Sequence, residues 1–424
     1  MGRRIVVVGG GWAGLAAAVT LSRSGHDITL FEAARTLGGR ARSLELELPD
    51  GRTVLADNGQ HILIGAYVET LGLMQGIGLD PAALLQRLPL ALRFPDGSGL
   101  AAPAWPAPWD AVAGILTAKG WRWADKFSLI AVSLRWQRTR FACASGATVA
   151  DVCRGITPRV MAEMIEPLCV SALNTPADRA SGEVFLRVMR DALFGRGFSR
   201  WGGSNLLLPR VDLGALFPQR AGEWLAAHGA RVVTGRRVQA ISRVESGWAV
   251  DGEPFDGVVL ACPPWEAWRL VSTSGAVAPA WLAAAASLEY EAITTVYATS
   301  ELTLPAQMLA LRSAANAPAQ FVFDRGQLGG PRGLLAFVVS ASPSDRQQLQ
   351  AQVAAQAASL GWAVQPIQTV VEKRATFACT PGLRRPPVRI AAGLVACGDY
   401  VEGPYPATIE GAVRSALAAA DALI

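Results

Sequence analysis

Lysine, histidine, paired cysteines and long apolar runs are all scarce in this chain. Lysine occurs only at Lys119, Lys126 and Lys373 of 424 residues, and arginine supplies nearly all the remaining positive charge. A GC-rich genome produces that bias, and the sequence holds no RNA- or DNA-binding module, so nucleic acid is excluded as a partner. Histidine occurs three times, and Cys143, Cys153, Cys169, Cys262, Cys379 and Cys397 are scattered without C-x-x-C spacing. That spacing excludes a disulfide framework or a metal cluster and points to a reduced, cytoplasmic protein with no metal ligands. No run of about 20 apolar residues appears, which excludes a transmembrane helix. Charged residues make up only 17% against 51% hydrophobic, the balance of a chain with a large buried core or an apolar cavity. The length implies two domains.

What is present begins at the N-terminus. Ile5, Val6, Val7 and Val8 form a short apolar run, the pattern of a strand buried on both faces of a parallel sheet. Gly9, Gly11 and Gly14 follow in G-x-G-x-x-G spacing, and an Ala-rich helix is expected over 15–21. Gly9 permits the tight turn, Gly11 lets backbone approach a pyrophosphate, and Gly14 lets helix pack closely on strand. The helix start at Trp12 and Ala13 offers free N–H groups and a positive dipole end. That context, not a secretion signal, explains the Val-, Gly- and Ala-rich stretch after Arg3 and Arg4. A second apolar run, 28–31, ends at Glu32, roughly 20 residues past the glycines, where a ribose hydroxyl would donate to its carboxylate. This is a dinucleotide site.

The continuation Leu37-Gly38-Gly39-Arg40-Ala41-Arg42 selects among dinucleotides. A long cofactor such as FAD needs a second set of close backbone contacts and a cation there; a nicotinamide cofactor does not. The opening resembles the GR2 family of flavoproteins, in the amine oxidase and phytoene desaturase superfamily. The resemblance implies an α/β fold, with a Rossmann-type FAD-binding domain and a second, α+β substrate domain. It also places Arg40 near the flavin diphosphate and ring system.

Further segments extend the pattern. After a helix over 213–228 come expected strands at 231–233, 237–241, 248–250 and 257–261, stopped by Pro263 and Pro264. In the resembled family a valine matching Val238 meets the adenine through its backbone. A buried strand over 393–397 ends in Gly398 and Asp399, at the sheet edge where open α/β folds bind ligands. A final helix is expected from Thr408 to about Leu423. Its N-terminus would stabilise an anionic reduced flavin through the dipole. By resemblance, Asp399 contacts ribityl and phosphate oxygens, and the backbone at Thr408 and Ile409 faces the pyrimidine ring. The expected FAD-binding domain is therefore discontinuous, over 1–66, 211–265 and 386–424. Residues 67–210 and 266–385 would form the substrate domain, with a mainly helical portion.

The turn 401–406 has no cysteine, which excludes covalent flavin attachment there, and no aromatic cage for an amine is recognisable. Cys397 reads as a small buried hydrophobe. The segments 57–67, 374–382 and 406–415 resemble instead the squalene-associated branch, the bacterial hydroxysqualene dehydroxylases of squalene and hopanoid synthesis. The implied reaction transfers hydride from reduced flavin N5 to an allylic carbon of hydroxysqualene with loss of water. Phytoene-type desaturases share the flavin motifs and form the alternative, followed by a non-enzymatic prenyl-lipid carrier of the same fold.

Such chemistry needs a group to protonate the leaving oxygen and a pocket that excludes water. His61, in a Gly-containing loop beyond the flavin motif, and Tyr405, beside the expected flavin edge, are the candidates. For His61 a flavin or pocket contact and a structural hydrogen bond are the competing roles, and for Tyr405 aromatic packing. His26 and His228 read as surface residues, and Glu410 as a partner of the helix dipole. A polyprene must also reach the protein from a bilayer or from a neighbouring enzyme of the pathway. The stretch 105–136 carries Trp105, Trp109, Trp121, Trp123 and Trp136 among Lys119, Arg122, Lys126 and Arg135. That mixture suits a peripheral face on the inner side of the cytoplasmic membrane, with core packing as its rival.

Overall fold

The structure is a computed structural model and describes residues 2–195, 197–342 and 345–424. Its central sheet runs in the order Arg231–Val233, Asp27–Phe31, Arg4–Val8, Gly257–Leu260, Leu394–Ala396 and Arg389–Ala391. The first five strands are parallel, with Val8 level with both Phe31 and Leu260, and only the last is antiparallel. The apolar run at the N-terminus is buried on both faces. Ile5 and Val7 pack among the helices Trp12–Arg23, Pro218–Ala227 and Ile409–Asp421. Val6 and Val8 pack on the other side with Trp248, Val250, Phe255 and Leu270. An α/β fold follows from that arrangement.

Two expected elements differ. The helix over 213–228 is two helices, Leu213–Leu216 and Pro218–Ala227, broken at Phe217 with φ −151°. Pro218 disfavours helical geometry at the residue before it and opens the second helix. The strand over 237–241 is an irregular extended segment, and pairing starts only at Ile241–Val244. Its backbone groups are taken by side chains. Gln239 and Ala240 donate their N–H groups to Asp251 Oδ1, and the Val238 carbonyl accepts from Arg269.

A second sheet is antiparallel, in the order Met308–Ala310, Phe321–Asp324, Leu334–Ser342, Tyr290–Thr299 and Gln365–Phe377. Strand alternation divides its side chains. Val296, Val322, Phe337 and Val339 pack against Leu349, Val353 and Ala357 of the helix Arg346–Ser359. Ile293, Phe321, Phe323 and Val338 line a cavity on the opposite face. Helices Glu166–Leu173 and Gly182–Phe194 contribute to its remaining wall. Among the described residues no helix is long and apolar enough to cross a membrane, and all six cysteines are free.

Candidate active site

The cavity, about 990 Å³, starts at the Gly-rich turn and ends among apolar side chains. At the turn, Gly9 has φ +116°, and a Cβ there would stand 2.6 Å from the Ala261 carbonyl oxygen. Gly14 lies beneath, where a Cβ would meet the Gly9 oxygen at 1.8 Å. Gly11 is different. A Cβ there would have only Gly39 Cα at 3.8 Å and Gly38 O at 4.0 Å for company, so protein packing does not require glycine. Its bare backbone instead keeps the cavity floor open beside Trp12 and Ala13. Gly39, at φ +62°, continues that floor, while Trp12 packs on Phe217 with ring centroids 4.8 Å apart.

Charged groups flank the floor. Glu32 accepts from the amides of Gly10 at 2.6 Å and Ala34 at 2.7 Å, which fixes its carboxylate at the cavity rim. Arg40 donates to the Ala375 carbonyl at 2.8 Å and pairs with Asp399. Burial works against the Arg40 charge, but Asp399 and then Glu372 outweigh it and raise its pKa. Gly398 and Asp399 follow the strand Leu394–Ala396 and line the cavity, as do Val238, Thr408 and Ile409. Thr408 caps the last helix, its hydroxyl accepting from the Gly411 amide at 3.0 Å. Of the residues expected at a dinucleotide, all but Gly14 line this one cavity.

His61 and Tyr405 line it too, in states that limit them as acids. The His61 Nδ1–H donates to the Gly59 carbonyl at 2.6 Å, which leaves Nε2 as an acceptor. Burial and the nearby Arg40 cation lower its pKa, so the ring stands neutral. The Tyr405 hydroxyl donates to Asp191 at 2.7 Å, and burial followed by that carboxylate raises its pKa, so it stays protonated. Glu410 does more than face its own helix dipole: fully buried, it accepts from the Glu69 and Thr70 amides and thereby caps the helix Val68–Gly76. Asp399, Glu410 and Tyr405 thus tie the C-terminal segment to three other parts of the chain.

The family model described as flavin containing amine oxidoreductase matches residues 12–424. The chain belongs to that family. It is an FAD-dependent oxidoreductase. The chain is 29% identical over 459 residues to hydroxysqualene dehydroxylase from Rhodopseudomonas palustris, covering 100% of this chain and 99% of that one. To hydroxysqualene dehydroxylase from Sinorhizobium fredii it is 25% identical over 438 residues, covering 99% and 98%. An oxidoreductase from Methanosarcina mazei shares the fold, with a TM-score of 0.74 at 15% identity over 99% of this chain and 100% of that one.

FAD fits the residues of this flavin-containing amine oxidoreductase. The open floor at Gly11, the rim carboxylate of Glu32 and the cation of Arg40 are the groups a long anionic dinucleotide requires. Beyond the floor the wall is apolar, with Ile62, Leu90, Met164, Leu168, Met189 and Leu206. Two polar side chains on the cavity escaped the sequence reading. Gln60 has both amide atoms buried without a partner, and so does the Tyr400 hydroxyl. Gln60 stands next to His61 within 57–67, but an amide does not ionise and has no motif spacing of its own to mark it. No sequence pattern singles out Tyr400.

Proposed function

We propose that this protein removes the hydroxyl of hydroxysqualene reductively, giving squalene and water, within squalene and hopanoid synthesis. The observation that carries the reading is a dinucleotide floor opening, in one cavity, onto an apolar wall. End-to-end similarity to two hydroxysqualene dehydroxylases supports the choice of substrate. When bound, reduced FAD supplies the hydride for the allylic carbon.

The chain's own residues divide the remaining tasks. Gly9, Gly11, Trp12, Ala13 and Gly39 cradle the diphosphate, over the close helix packing that Gly14 permits, and Glu32 accepts from the ribose. Arg40, Gly398 and Asp399 hold the ribityl and phosphate portion, Val238 the adenine, and Thr408 and Ile409 the ring system. The apolar wall binds the polyprene, where each buried CH₂ contributes about 0.8 kcal/mol. It also keeps out the water that would trap an allylic cation. His61 Nε2 accepts from the substrate hydroxyl and orients it, and the Gln60 amide donates to the same oxygen. Tyr405, protonated at neutral pH, gives the proton that turns hydroxide into water, its hydroxyl turning from Asp191 to the leaving oxygen. A substrate this apolar belongs in a bilayer, so the reading brings with it peripheral contact with the inner face of the cytoplasmic membrane. Delivery by a neighbouring enzyme of the pathway belongs to the same reading.

The test is product analysis. Anaerobic, reduced protein given hydroxysqualene should form squalene; failure there, with desaturation of a polyprene by the oxidised protein, would assign a desaturase instead. The pH profile checks the acid. With His61 neutral and Tyr405 protonated, the rate should be flat from about pH 7 to 9. A rise toward low pH that His61→Asn abolishes would move the proton to His61.

A further inference from the structure

Half of the exposed large apolar side chains fall in one short stretch. Among the described residues fourteen such side chains are exposed, and seven of them lie within 105–134. Trp105, Trp109, Trp123 and Phe127 are 60%, 65%, 62% and 61% exposed. The stretch does not simply pack into the core. Trp121 and Trp136 do so, donating to Glu163 and the Val152 carbonyl, and their neighbours point outward.

Helix periodicity gathers the exposed groups. Trp109, Val112 and Leu116 recur at helical spacing on the helix Trp109–Thr117, and Trp123 and Phe127 stand one turn apart on Trp123–Arg138. Rings of the latter pair are 5.8 Å apart. The Lys126 ammonium joins the two helices, donating to the Leu116 carbonyl at 2.6 Å while lying 5.0 Å from the Trp123 ring centroid.

Charge on this surface has one sign. Between residues 97 and 150 the acidic side chains are Asp110 and Asp125, both buried. Asp110 accepts from Ser204 at 3.0 Å and Asp125 from Thr157 at 2.6 Å. Lys119, Arg122, Arg135, Arg138 and Arg140 are exposed, and of these Arg122 lies beside Asp125, whose buried carboxylate accepts from the Arg122 amide at 2.8 Å. A second copy docked through this face would bring like charges together, which is unfavourable. Aromatic side chains ringed by cations match an anionic headgroup layer, where the rings enter the interface and the cations meet phosphates.

The patch is also joined to the cavity wall. Asp110 holds Ser204, which lines the cavity. Trp121 holds Glu163, next to the lining residue Met164. Phe194, exposed at the end of the helix Gly182–Phe194, packs on Phe141 at 5.6 Å, while Met189 and Leu193 of that helix face inward.

We propose that the helices Trp109–Thr117 and Trp123–Arg138, with the loop at Trp105, dock this protein on an anionic lipid bilayer. The docked face sets the apolar end of the cavity next to the acyl layer, the natural source of an apolar chain.

The flavin-loaded protein is floated with phosphatidylcholine vesicles with and without phosphatidylglycerol. Wild type should bind the anionic vesicles, and Trp109→Ser/Trp123→Ser/Phe127→Ser together should weaken that binding about tenfold or more. Lys119→Gln/Arg122→Gln should remove the preference for phosphatidylglycerol. Retained flavin absorbance shows that the variants are folded. Wild type that stays with the soluble fraction, unchanged binding by the aromatic variant, or self-association through these residues without vesicle binding would overturn the proposal. Binding is read without substrate, so its failure leaves the proposed reaction standing, and failure of the reaction leaves the docking face standing.

Discussion

Gly11 and Gly14 stand three residues apart in one motif and answer to different demands. A Cβ at Gly14 would lie 1.8 Å from a backbone oxygen, so Gly14→Ala must push the first helix off its strand. A Cβ at Gly11 meets the protein only at ordinary contact distance and would intrude on the cavity alone. Gly14→Ala should therefore yield little folded protein. Gly11→Ala should fold with an unchanged apoprotein melting temperature and lose FAD affinity about tenfold or more, the cost of about 1.4 kcal/mol or above. Fluorescence titration of FAD against each apoprotein checks the contrast; equal FAD affinity in Gly11→Ala and wild type would separate this floor from the cofactor.

At the scale of elements, Asp57 connects the end of the strand Thr53–Asp57 to the start of the helix Leu213–Leu216. It accepts from the Leu213 amide at 2.8 Å, and its second carboxylate oxygen is buried without a partner. Burial raises its pKa to about 6, against the pull of Arg325. The folded state then holds the proton more tightly than the unfolded chain, so this group's contribution is most favourable below about pH 4 and declines as pH rises to about 6. About two pKa units correspond to roughly 2–3 kcal/mol. Denaturation of wild type and Asp57→Asn at pH 4 and 7 should show that difference as a decline present only in wild type; parallel curves would contradict it.

Elements show, too, where sequence is informative. The strand–turn–helix at 4–23 was legible because glycine spacing and an all-apolar run follow from close packing. The irregular segment at Val238 was not, since Asp251 and Arg269 take its hydrogen bonds from elsewhere in the chain. The capping of Val68–Gly76 by Glu410 joins residues some 340 apart and leaves no local pattern. Gln60 and Tyr400 matter only through burial, which composition does not report.

Across the whole molecule, a parallel sheet presents its strand ends to one side of a cavity and an antiparallel sheet presents an apolar face to another. Under the proposed function the first would position the flavin, and the second would shelter the polyprene. The central claim is that electrons leave the flavin for that chain. The measurement is an anaerobic single turnover of fully reduced protein with hydroxysqualene, following flavin absorbance and product mass together. The account predicts one squalene formed for each FAD reoxidised. Flavin that stays reduced while hydroxysqualene is recovered unchanged would contradict it.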